Sequence, residues 1–250
     1  KNLKEGMCLG FDGRTVSGEE ADQLKKILQK KQIRFSVNED LIGAIWQDRP
    51  ALSCEPVMEL DVKWAGKSRA DKIQEIRTKL KEKGASLFVL TSLDDIAWLL
   101  NIRGNDIHCC PVVLSYLVLD EKEIRLFANE KAFPDSVKEA LAADGVTIYP
   151  YDDIYTYVQT IPEEKKVYLS KSNVNSRLVS NIPDGVTILN GENLTLLPKA
   201  IKNETEVQNE KTAHIKDGVA MVKFIHWLKK NIGKQEITEL SAADKLYDFR

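Results

Sequence analysis

The chain has 250 residues, 43% of them hydrophobic and 30% charged, with 36 basic side chains against 38 acidic ones. That length exceeds one domain of roughly 100 to 200 residues, so more than one folding unit is expected. Nearly cancelling charge without a long Lys/Arg run argues against a nucleic-acid binder. The longest apolar stretch, Pro111 to Leu119, is too short for the ~20 residues that span a membrane.

Residues 7 to 12 form a short apolar run suited to a buried strand. Ser17, with Glu20 three residues on, opens a helix that places Ala21, Leu24, Ile27 and Leu28 on one face. A strand at Ile33 to Val37 and a short helix from Glu39 to Trp46 follow, an alternation that puts helices on a sheet. This unit begins abruptly, as the tail of a domain whose start lies elsewhere. Arg49-Pro50, Glu55-Pro56 and Gly66 punctuate residues 47 to 67, which read as an extended connection.

Ser68 with Asp71 starts a longer helix carrying Ile73, Ile76 and Leu80 inward, stopped by Gly84. A second α/β unit then runs to about residue 197. It opens with a strand at Ser86 to Leu90 and a helix capped by Ser92 and Asp95. Val112 to Leu119 and Ile124 to Ala128 pair as a hairpin through Asp120 to Glu123. A helix near Pro134 to Ala143, a strand at Val146 to Tyr149 and a helix from Asp152 come next. A strand at Val167 to Leu169, a helix around Asn173 to Asn181 and a strand at Val186 to Leu189 complete it. The hairpin makes the sheet mixed. Asn203 with Glu206 caps a long helix to about Asn231, with Ile215, Val219, Val222 and Ile225 as its inner stripe. Gly233 ends it, and Ser241 with Asp244 starts another. No internal repeat is visible in the sequence.

Four cysteines lack the spacing of a secreted disulfide scaffold, and the adjacent pair, Cys109 and Cys110, has poor geometry for bonding to itself. A cytosolic chain with free thiols fits. Lys1 opens without Met, and Asp248-Phe249-Arg250 falls inside a helical pattern, so a part of a longer protein is expected.

Chemistry is sparse. His108-Cys109-Cys110-Pro111 invites a metal, but a structural zinc site wants two spaced ligand pairs and there is no second cluster. His214 and His226 lie about three turns apart on one helix, too far to share an ion. Asp12-Gly13-Arg14 reads as a turn after a strand. Asp94-Asp95 fits the positive end of a helix. Arg103-Gly104-Asn105-Asp106 is a polar loop of the kind that forms domain contacts or ligand rims.

Leu93 to Gly104, Leu-Asp-Asp-Ile-Ala-Trp-Leu-Leu-Asn-Ile-Arg-Gly, resembles the second domain of three-domain Xaa-Pro aminopeptidases, and Pro111-Val112 and Ser115-Tyr116 match the strand that follows there. Trp46 to Leu52 resembles the interdomain linker of that family. Lys199 to Asn203 and Ala213 to Asp217 resemble the start of its "pita-bread" catalytic domain, and Ser241 to Asp244 a segment shortly after it. The resemblance implies an α/β fold: residues 1–66 as the C-terminal part of a first creatinase-N-like domain plus linker, 67–197 as a second, mixed-sheet one, and 198–250 as the start of a truncated catalytic domain. It implies a cytoplasmic metalloaminopeptidase, forming a homodimer, that removes the residue before proline from peptide substrates with two divalent metal ions, manganese being usual. The family's metal ligands lie after Arg250, so no catalytic, cofactor-binding or metal residue is assigned in this chain, which is expected to be inactive alone. Two other readings remain. One is a metal-free peptidase-like binding module of the histone-chaperone type. The other is a creatinase- or prolidase-like relative, which would carry a single N-terminal domain.

Overall fold

The computed structural model describes residues 3–250; Lys1 and Asn2 lie outside the described residues. There are two compact units, one gathering the chain up to Asp61 with Lys67–Ile201, the other Val62–Gly66 with Lys202–Arg250. In chain order the elements of the first unit begin with β1 (Cys8–Gly10), α1 (Gly18–Gln29), β2 (Arg34–Ser36), α2 (Leu41–Ile45) and β3 (Met58–Glu59). After α3 (Val62–Ala65), which belongs to the second unit, come α4 (Arg69–Glu82), β4 (Leu87–Leu90), α5 (Leu93–Leu100), β5 (Ile102–Arg103), β6 (Ser115–Asp120) and β7 (Ile124–Ala128). The first unit ends with α6 (Asp135–Ala143), β8 (Val146–Pro150), α7 (Asp153–Tyr157), β9 (Lys166–Leu169), α8 (Ser176–Asn181), β10 (Thr187–Asn190) and α9 (Leu196–Ala200).

The main sheet is mixed, in the order β10-β9-β4-β6-β7-β8. β9 is parallel to both β10 and β4, and β7 is parallel to β8. β6 runs antiparallel to β4 and to β7. Successive side chains of a strand point to opposite faces, and both faces here are covered. Phe88, Leu90, Leu117 and Leu126 pack with Ile76 of α4, Leu99 of α5 and Leu141 of α6. Leu87, Val89, Val118 and Val167 pack on the other side with Ile154 and Leu178. A central strand covered on both faces is continuously apolar, which is why Leu87-Phe88-Val89-Leu90 shows no alternation.

The stretch expected as an extended connection is more structured than its prolines imply. β3 pairs antiparallel with β5, Met58 opposite Arg103, and Val57 is buried. Two further expectations fail on side-chain placement. Ile27 is 56% exposed although Ala21 and Leu28 are buried, because consecutive residues are about 100° apart around a helix and α1 buries a narrow strip. Ser92 precedes α5 but makes no side-chain cap.

Structure reveals a repeat that the side chains conceal. β1–α1–β2 and β9–α8–β10 are both parallel strand–helix–strand units. Ser17 accepts the Glu20 N–H at 3.2 Å to cap α1, and Asn175 accepts the Leu178 N–H at 3.0 Å to cap α8. The two caps meet as an antiparallel bridge. Gly18 N–H donates to the Val174 carbonyl and Ser176 N–H to that of Val16, both at 2.8 Å. Further out, Glu19 N–H reaches the Lys171 carbonyl at 2.9 Å and Arg177 N–H that of Gly13 at 3.1 Å. Each bond has its mate at the equivalent position, so a local two-fold axis runs between Ser17 and Asn175.

The second unit holds α3, α10 (Glu204–Asn231) and α11 (Glu239–Phe249). Asn203 and Glu206 form the expected capping box. α11 starts earlier than expected: Thr238 is its cap, and Ser241, expected as the cap, is the third residue in. The stripe expected to face inward on α10 is exposed, with Ile215 70% and Val222 68% accessible. Two short helices supply too little surface to cover a helix of 28 residues. Asn203 also donates to the Ala65 carbonyl at 2.9 Å, which brings its side chain against Gly66 at φ +67°. A Cβ there would collide with Asn203. Gly66→Ala therefore loses the cap and strains the backbone, and urea unfolding of the second unit should show a loss of about 2 kcal/mol; an unchanged midpoint would refute this account of the cap.

Candidate functional site

Beyond its first turn α5 is apolar all round, with Ile96, Ala97, Trp98, Leu99 and Leu100 all buried. A helix of that kind belongs inside a fold, and its unsatisfied end groups then need partners other than water. Both ends are served by charge.

At the N-terminal end the Asp95 side chain is almost fully buried. It accepts from Asn193 Nδ2 at 3.0 Å and pairs with Lys199 Nζ at 2.5 Å. Asp94 pairs with the same ammonium. Ser92, free of any capping role, accepts from Asn193 at 2.8 Å. Partial burial pushes the Asp94 carboxyl up, but the Lys199 bond and the backbone N–H donors of the first turn outweigh it and hold it below the usual carboxylate value. Burial pulls the Lys199 ammonium down, and the two carboxylates more than reverse that. The acidic pair thus does sit at the positive end of a helix, as its position implies, and it also anchors the segment after β10.

At the other end Asn101 adopts φ 51°, the left-handed conformation that closes helices and that asparagine tolerates. Lys72, 2% exposed, donates to the Trp98 carbonyl at 2.9 Å and to Asn101 Oδ1 at 2.7 Å, with its ammonium 4.5 Å from the centre of the Trp98 ring. Arg69 Nε donates to the Leu100 carbonyl at 2.6 Å while its other nitrogens reach Ala140, Asp144 and Glu59. Arg103 reaches the Ala97 carbonyl at 2.9 Å. Cations here complement the negative end of the helix.

The polar loop starts where this end is locked. Gly104 lies so close to Val112 and Val113 that a Cβ would meet Val113 Cγ2 at 2.7 Å. Asp106 accepts the Leu114 N–H at 2.7 Å and closes the loop on itself. At its tip Ile107 accepts the Cys110 N–H at 3.0 Å, and Cys109, at φ 60°, occupies a position that glycine or asparagine normally fills. His108, Cys109 and Cys110 are all exposed.

The remaining residues singled out in the sequence do not join this site. Asp12 accepts from the Arg14 backbone and guanidinium, and Arg14 also bonds Asp40. Burial works against the Asp12 charge, yet Arg14 keeps its carboxyl low. This closed ion cluster serves as a turn brace. His214 is exposed beside Glu210, and His226 is exposed on the same helix. Among the described residues, no three His, Cys, Asp or Glu side chains are grouped so as to hold a metal ion. The described residues therefore do not fit a dinuclear metal cage. Sequence reasoning missed Arg69 and Lys72, although both sit in register with Ile73, Ile76 and Leu80 on the inner face of α4.

The Creatinase/Prolidase N-terminal domain family matches residues 48–206. The chain belongs to that family. It is 35% identical over 267 residues to Xaa-Pro aminopeptidase 1 of Dictyostelium discoideum, covering 100% of this chain and 42% of that protein. Its fold matches the crystal structure of the X-prolyl aminopeptidase of Caenorhabditis elegans, described as a cytosolic enzyme with a di-nuclear active site, at TM-score 0.89 and 31% identity over 100% of this chain and 42% of that one. The N-terminal domain of the FACT complex subunit SPT16 from Cicer arietinum (chickpea) matches at TM-score 0.53 and 12% identity over 72% of this chain and 49% of that one, a likeness of fold alone. The chain spans about two fifths of the length of the curated relatives it matches.

If Lys199 joins α5 to the segment after β10, Asp95→Asn, Lys199→Met and the double variant should show a coupling of about 1 kcal/mol or more at pH 7. Because Asp94 titrates below its ordinary value in the folded chain, its share is full above about pH 4 and fades as pH falls through the folded value. Urea unfolding at pH 7 should show the coupling, and the stability lost in Asp94→Asn should shrink as pH falls below about 4; additive single effects of Asp95→Asn and Lys199→Met at pH 7 would contradict the joint.

Proposed function

We propose that this chain is the accessory portion of a metal-dependent aminopeptidase that removes the N-terminal residue from peptides with proline at the second position. The observation that carries this reading is the match along the whole chain to an X-prolyl aminopeptidase, in fold and at 31% identity, together with its partial cover of that enzyme. The match to Xaa-Pro aminopeptidase 1 supports it independently. We assign residues 1–66 to the end of a first creatinase-N-like domain and its linker, 67–197 to a second, and 198–250 to the opening of a pita-bread catalytic domain.

Two divalent ions, with manganese the first choice, would activate water and polarise the scissile carbonyl in the rest of the protein. No step of that reaction is assigned to the residues in hand. Their contribution is support: a rigid unit that walls the cleft, limits the length of peptide admitted and excludes water. Proline, with no N–H and a fixed ring, is a substrate that a shaped pocket can select sterically. We further propose a cytoplasmic homodimer. The metal-free binding-module reading draws only on a likeness of fold, and the closer match favours the enzyme.

The test is release of the first residue from an Xaa-Pro-Xaa peptide. The full-length protein should release it with manganese, lose the activity on chelation and regain it on readdition. Residues 1–250 alone should stay at the uncatalysed background. A full-length protein inactive with metal supplied would overturn the proposal.

A further inference from the structure

The two thiols at the tip of the 104–114 loop have no place in that function. We propose that Cys109 and Cys110 form a two-thiolate site for trivalent arsenicals of the type R–As=O, independently of any peptidase activity. Both thiols are exposed. The pair is joined by a trans peptide, which holds the two Cα atoms about 3.8 Å apart, shorter than the 4.4–6.8 Å or so of ordinary disulfides. Closure on each other is therefore disfavoured, and both sulfurs remain free for one shared atom.

The backbone that presents them is held from both sides. The Ile107–Cys110 bond closes the turn and sets Cys109 at φ 60°. Pro111 restricts Cys110 to extended conformations. Gly104 and Asp106 close the base of the loop. A chelate whose two donors are already neighbours gains from effective concentration, with no chain ordering left to do. His108 is adjacent, yet no three-ligand group exists among the described residues. Two soft sulfur donors and no oxygen cage select a thiophilic centre over manganese or magnesium. The chemistry balances without an oxidant: the two S–H protons leave with the arsenyl oxygen as water, two As–S bonds form, and arsenic stays trivalent.

The probe is phenylarsine oxide, added to the reduced chain and followed by intact mass and by titration of free thiols. One arsenical per chain should bind and two of the four thiols should disappear. The adduct should persist in excess 2-mercaptoethanol and leave with ethanedithiol. Cys109→Ser and Cys110→Ser should each weaken retention about 100-fold, whereas Cys8→Ser and Cys54→Ser should leave it unchanged. Both loop cysteines are exposed, so the serine variants should keep the parent thermal midpoint, which is measured alongside. Failure to retain the probe, or retention undiminished in either loop variant, would overturn the site.

Discussion

The first unit depends on a lysine ammonium buried inside the fold. Lys72 is 2% exposed, and a carbonyl, an amide oxygen and the face of an indole all hold it. Burying such a group is unfavourable unless its donors are met. The deficit of the α5 carbonyls is the complementary problem, and each solves the other. Asn101 is the pivot. Its backbone turns left-handed to end the helix, its Oδ1 takes the lysine, and its Nδ2 donates to the Lys67 carbonyl at 3.0 Å.

From that lock the rest follows by connection. Arg69, one turn before Lys72 on α4, ties the same helix end to α6 and to β3. Asp95, at the far end, ties α5 to the segment after β10 through Asn193 and Lys199. α5 thereby acts as a strut with opposite charges at its two ends, in the sense its dipole favours. The Leu93–Gly104 segment that most resembles Xaa-Pro aminopeptidases is this strut with its locks, so what the resemblance marks in this chain is architecture. That agrees with an accessory role, in which a rigid wall matters more than a reactive group.

Much of this was legible in the sequence, for physical reasons. Strands covered on both faces read as continuous apolar runs, and Leu87–Leu90 and Lys166–Leu169 were placed to within a residue or so. Caps at Ser17, Ser68 and Asn203 carry their own local signal, and all three accept the bonds expected of them. What stayed hidden is what depends on partners distant in sequence. Lys199 and Asp95 are far apart along the chain, and nothing local distinguishes Ser92 as a cap from Ser92 as an acceptor for Asn193. The repeat about Ser17 and Asn175 was invisible because it resides in backbone bonds that accept many side chains. The stripe on α10 was read correctly as apolar; periodicity reports polarity, and whether anything covers the face is a separate question.

The central claim is that Lys72 and Asn101 hold the end of α5. Native-state hydrogen exchange on the parent chain and on Lys72→Met tests it most directly. The parent amides of Ala97 to Arg103 should exchange only with global unfolding of the unit. In the variant they should exchange at least tenfold faster while the β4 and β6 amides change far less, since the helix end opens locally once its carbonyls are unmet. Equal acceleration of helix and sheet, or none in either, would contradict it.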